Sequence, residues 1–69
     1  MGRGMRDQVQ DEQWIRAKAG ECSSEGVYVT ANHYDGGYEV RVGTVDFFID
    51  YESIDADDNA VVRKYLSKL

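Results

Sequence analysis

Residues 26–51 read GVYVTANHYDGGYEVRVGTVDFFIDY, three short alternating runs separated by Asp35-Gly36 and by Gly43-Thr44. Asp-Gly suits a two-residue type I′ turn, which needs positive φ at both central positions, and Gly-Thr suits a type II′ turn with glycine first. The first turn sets His33 against Tyr38, Ala31 against Val40, Val29 against Val42 and Val27 against Thr44. Moving it to Gly36-Gly37 slips the pairing by two residues and leaves the faces unchanged. The second turn sets Val42 against Val45, Val40 against Phe47 and Tyr38 against Ile49. Assigned separately, the two turns collect one apolar face: Val27, Val29, Ala31, Tyr38, Val40, Val42, Val45, Phe47 and Ile49. A wrong register would scatter that set, so the stretch predicts a three-stranded antiparallel meander.

The opposite face receives Tyr28, Thr30, Asn32, Tyr34, Glu39, Arg41, Asp46, Phe48 and Asp50. Arg41 stands opposite Asp46 as a favourable cross-strand pair. Tyr28 stands opposite Gly43, where its ring can cover bare backbone.

Helical signals flank the meander. Asp7 with Gln10 three residues on fits a capping box, and Gly20 suits a terminator, so a helix is predicted over about 8–19, with a shorter one starting after Asp11 as the alternative. Met5, Val9, Ile15 and Ala19 share one side of it, while Trp14 points elsewhere, as a core anchor or an exposed contact. After the meander, Asp55 as N-cap, Asp57 and Asp58 in the first turn and Arg63, Lys64 and Lys68 near the end predict a helix over 56–67 whose charges complement its dipole. Val62, Tyr65, Leu66 and Leu69 give it an apolar stripe to lay on the sheet. The order is α-β-β-β-α: an α+β domain in which the meander packs against a C-terminal helix, with an additional N-terminal helix. Residues 1–6 read as a flexible lead-in and 7–69 as a single domain.

Sixty-nine residues leave room for one small core, and the net charge of −5 disfavours simple electrostatic binding to nucleic acid or to an anionic membrane. A single cysteine, Cys22, offers no intramolecular disulfide, which fits a reducing cytoplasm. The opening MGRGMR lacks the apolar run of a secretory signal, and Arg6 stands where a myristoylation signal has Ser or Thr. No stretch approaches the roughly 20 apolar residues of a membrane span.

Catalytic patterns are weak. His33 is the only histidine, and nothing in the sequence couples it to Cys22 or Ser23, so it reads as structural. Asp55, Asp57 and Asn59 match ligand positions 1, 3 and 5 of an EF-hand loop, but Ala60 and Leu66 stand where that loop needs its turning Gly and its bidentate Glu. Gly36-Gly37 is a turn without a phosphate-binding signature. The sequence therefore predicts no catalytic residue, no metal and no cofactor.

What remains is charge and aromatic surface. Residues 46–58 carry six carboxylates (Asp46, Asp50, Glu52, Asp55, Asp57 and Asp58) and no basic residue. Asp46 and Asp50 lie on one strand face about 13 Å apart, from a rise of roughly 3.3 Å per residue, and the others extend the row around the sheet corner. A line of fixed negative charge is what a cleft built for phosphates attracts. The bland alternative is a solvated edge plus a helix cap. Tyr28, Tyr34 and Phe48 supply contact rings beside the charges. In size, charge and layout the chain resembles phage-encoded inhibitors of host defence or transcription, such as anti-CRISPR and anti-restriction proteins.

That resemblance implies a non-enzymatic protein-binding inhibitor that blocks a basic nucleic-acid-binding groove by charge mimicry. The partner would be a protein rather than nucleic acid or membrane, and the chain a monomer or homodimer. The rival readings are an antitoxin-like interaction module using the sheet edge or aromatic face, and a single-stranded nucleic-acid binder stacking bases on Tyr28, Tyr34 and Phe48.

Overall fold

The computed structural model describes residues 6–23 and 26–67. Helix α1 spans Gln8–Cys22, and strands β1 (Val29–Tyr34), β2 (Gly37–Val42) and β3 (Val45–Asp50) follow, then helices α2 (Tyr51–Asp55) and α3 (Ala60–Leu66). The sheet order is β1-β2-β3, antiparallel throughout. The α+β architecture and the meander are as the sequence predicts.

The register agrees pair for pair. Val29 meets Val42, Ala31 meets Val40 and His33 meets Tyr38; Val42 meets Val45, Val40 meets Phe47 and Tyr38 meets Ile49. Positive φ at Gly36 and Gly43 serves the two turns, but Asp35 does not share it, so the first turn lacks the second positive φ that the expected type I′ geometry requires. β1 begins at Val29, so Val27 packs beside the sheet without entering a strand. Tyr38, Val40, Val42, Phe47 and Ile49 are buried, and Val29, Ala31 and Val45 pack against them half-covered. The core is completed by Ile15 and Ala19 from α1, Ile54 from α2, and Val62 and Leu66 from α3.

All three helices contribute to that one face, so the sheet has a helical layer on one side and none among the described residues on the other. α1 starts where the capping pattern places it, with the Asp7 carboxylate accepting from the Gln10 amide at 3.2 Å. It runs through Gly20 to Cys22, and the Ser23 hydroxyl donates to the Ala19 carbonyl at 2.6 Å.

The face α1 buries matches the expected one only in part: Ile15 and Ala19 are buried as predicted. Val9 is 67% exposed, and the stripe turned inward is Asp11, Trp14, Ile15, Lys18, Ala19 and Cys22. Their spacing is helical, but two of them are charged, which hides the stripe from a hydropathy reading. Met5 lies outside the described residues.

The C-terminal region departs further. Two short helices replace the single one expected over 56–67. Asp50 caps α2 by accepting from the Ser53 amide at 3.0 Å, which starts a helix directly at the strand end. Asp55, the expected N-cap, is instead the last residue of α2, and Asp57 then takes a left-handed φ of 55° that ends the turn. Asp57 and Asp58 thus lie in the connection rather than in a first helical turn. α3 begins at Ala60, whose amide is accepted by the Asp58 carboxylate at 3.0 Å. Tyr65 is partly exposed and stacks on Phe47, ring centroids 5.4 Å apart; Leu69 lies outside the described residues.

Candidate interaction surface

The outer sheet face is read directly from strand parity. Row by row, from the Gly43 turn to the Asp35-Gly36 turn, it presents Tyr28; then Thr30, Arg41 and Asp46; then Asn32, Glu39 and Phe48; then Tyr34, Gly37 and Asp50. Tyr28 is 79% exposed, Tyr34 53% and Phe48 47%. Tyr28 and Tyr34 stand at opposite ends of the face, about 20 Å apart along the strand at roughly 3.3 Å per residue. Between them lies a shallow hollow of about 200 Å³ lined by Thr30, Asn32, Glu39, Arg41 and Asp46. The surface is thus an open polar dish between a lone tyrosine and a Tyr34–Phe48 end.

An aromatic ring does cover a glycine on this face, but at the other end from the one expected. A Cβ at Gly37 would overlap the Ile49 carbonyl and come within 2.8 Å of the tip of the Phe48 ring. Phe48 can lie against the sheet there because no side chain intervenes, whereas Tyr28 projects into solvent.

The six carboxylates of residues 46–58 are not the free row that the sequence suggests. Arg41 grips Asp46 with two bonds, Nε to Oδ1 at 2.7 Å and a terminal nitrogen to Oδ2 at 3.0 Å. Arg6 reaches Asp55 at 2.8 and 3.1 Å. Trp14 Nε1 donates to Asp57 at 2.7 Å, and Lys18 Nζ lies 3.6 Å from the same carboxylate. Asp50 and Asp58 accept from backbone amides at helix starts. Of the six, only the Glu52 carboxylate accepts no hydrogen bond from a described residue.

The row is also divided: Asp46 and Asp50 border the outer face, while Asp55 and Asp57 engage Arg6 and α1 in the helical layer. The reason is topological. Folding brings Arg6, Trp14 and Lys18, remote in sequence, against the 50s. These contacts hold Asp46, Asp50, Asp55 and Asp57 below the ordinary carboxylate range, through Arg41, the hydroxyl and amide of Ser53, Arg6, and Trp14 with Lys18 respectively.

A second polar cluster ties the layers together. Asp11, buried on α1, accepts from Arg6 Nε at 3.0 Å, from a terminal Arg6 nitrogen at 3.1 Å and from the Tyr38 hydroxyl at 2.7 Å. The Arg6 guanidinium lies 4.1 Å above the Tyr51 ring. His33 stacks on Tyr38 at 4.8 Å and hydrogen-bonds the Tyr51 hydroxyl through Nε2. Burial first, then the Asp11 bond, pushes the Tyr38 phenol well above its usual value. Residues 1–5 of the expected lead-in lie outside the described residues, and Arg6, its last residue, is held by these contacts.

Parity puts Thr30, Asn32 and Glu39 on the outer face, but polar strand positions read as ordinary solvated surface and do not mark a site. Arg6, Asp11 and Lys18 gave no signal beyond charge. Among the described residues no three His, Cys, Asp or Glu side chains converge as a metal site, and no helix is long and apolar enough to cross a membrane. No family model, curated protein or solved structure matches the chain.

Proposed function

We propose that this chain is a non-enzymatic protein-binding module that docks its outer sheet face on a basic, nucleic-acid-binding surface of another protein. The observation that supports the reading best is the outer face itself: among the described residues all three helices serve one side of the sheet, and Tyr28, Tyr34 and Phe48 are exposed on the other. Exposed aromatics around a polar dish are the composition of a contact surface, whereas an open hollow of about 200 Å³ gives little shelter from water for acid–base chemistry.

The aromatics are the anchors, and the net charge of −5 steers the encounter. With most carboxylates of residues 46–58 already engaged, long-range attraction is what they chiefly supply. Blocking of a defence or transcription complex in the cytoplasm is the narrower form of the proposal, and it rests on size, charge and layout.

The test is capture of partners from host lysate on the immobilised chain, with competition by nucleic acid. A captured protein that can no longer bind its nucleic acid supports the reading, as does an affinity that falls as salt rises from low to moderate. Partners that keep their nucleic acid while bound, at an affinity indifferent to salt, contradict it. Binding of single-stranded oligonucleotides by the chain itself near physiological salt would favour the base-stacking rival, which the Arg41–Asp46 pair and Glu39 oppose by leaving no uncompensated positive charge on the dish.

A further inference from the structure

We infer that the free edge of β3 accepts an extended basic segment of the partner as a fourth strand, and this rests on the protein-binding reading above. β3 is an outer strand of the sheet. The two-residue turn at Gly43-Thr44 and the bond from the Tyr51 amide to the Gly36 carbonyl at 3.0 Å fix which residues bond inward to β2: Val45, Phe47 and Ile49. Asp46, Phe48 and Asp50 therefore turn their backbone groups away from the sheet. No other described residue bonds the amide or carbonyl of Asp46 or Phe48. The far edge is less open, because Arg16 of α1 donates to the outward Val29 carbonyl at 2.7 Å.

The same three residues carry outward side chains in the order acid, aromatic, acid. A strand laid antiparallel in full register would set its own alternate residues opposite Asp46, Phe48 and Asp50. A second copy of this chain is a poor occupant: β3 against β3 in that register puts Asp46 opposite Asp50 twice, and like charges directly opposite are destabilising. Asp46 keeps its bonds to Arg41 and Asp50 its cap on α2, so the selecting charge is the balance of Glu39, Asp46 and Asp50 against Arg41 alone, which favours a partner segment reading basic–x–apolar–x–basic with an apolar side chain against Phe48. Main-chain bonds then supply affinity and the alternate side chains supply selection.

The experiment uses the full chain, isotopically labelled, with the blocked peptide TKVFVKT as probe and TEVFVET as control. Saturation with TKVFVKT slows amide hydrogen exchange at Asp46 and Phe48 by about tenfold or more, with little change at Phe47 and Ile49, and TEVFVET slows neither. The inference is overturned by no binding at millimolar peptide, by binding without protection of those two amides, or by equal protection from both peptides. Loss of partner binding on Tyr34→Ser with Phe48→Ser keeps the face reading even if strand addition fails. Parental binding by that variant removes the face reading itself.

Discussion

Gly37 has no room for a side chain, because β3 backbone and the Phe48 ring occupy the space one would need. Gly37→Ala is expected to destabilise the fold by about 1–3 kcal/mol in chemical denaturation, as overpacking against backbone does. Asp11 is the other sensitive single position. Asp11→Ala leaves the Tyr38 hydroxyl buried without its acceptor and releases Arg6. A loss of about 1–3 kcal/mol follows from stranding that donor, and an unchanged denaturation midpoint would show that the cluster is ornamental. Charge reversal must be chosen with the contacts in mind. Asp50→Lys removes the α2 cap as well as a charge, so it reports on folding and binding at once. Glu39→Lys with Glu52→Lys reverses charge without breaking a hydrogen bond among the described residues. That pair is expected to slow partner association by about tenfold at low salt with an unchanged melting temperature.

At the scale of elements, the meander was legible and the helices only partly so. The strands declared themselves because a period of two, a turn glycine at each bend and one shared apolar face constrain each other. Phe47 illustrates it: parity placed it inward, and it is buried against Tyr65. Phe47→Ala is expected to cost about 3–5 kcal/mol, measured by denaturation, as loss of a buried ring does. The start of α1 and the burial of Ile15 and Ala19 are legible, but the full inward stripe is not, since Asp11 and Lys18 occupy it and charge reads as solvent-facing. α2 was missed because Asp50 has two roles, last residue of a strand and cap of a helix, and local pattern assigns one. The outer face was legible by parity. That α1 packs on the other side was not, because the side it takes depends on contacts more than twenty residues away in sequence, such as Asp11 with Tyr38.

For the whole molecule, the engaged carboxylates and the buried Tyr38 phenol make stability depend on pH at both ends. Folding lowers the pKa of Asp46, Asp50, Asp55 and Asp57 below the ordinary 3.8. The unfolded chain thus takes up protons first, so their contribution is complete above that value and is lost as pH falls through the lower folded values. Tyr38 acts in the opposite sense. Its folded pKa is raised above 10, so its contribution is complete below that value and is lost as pH climbs towards the folded one. A melting-temperature profile is expected to fall below about pH 4 and above about pH 10, with phenolate absorbance from Tyr38 appearing only as the chain unfolds.

These features describe a domain whose helices pack on one sheet face, with no described helix on the other, which is the face proposed to dock. The most direct measurement is the affinity of Tyr34→Ser with Phe48→Ser for the captured partner, beside a thermal melt of the same protein. Binding at least about tenfold weaker with melting close to the parent is the predicted result, since anchor rings at a contact core are worth about 2 kcal/mol or more. Parental affinity from the folded double variant would contradict the outer face as the place where this protein binds.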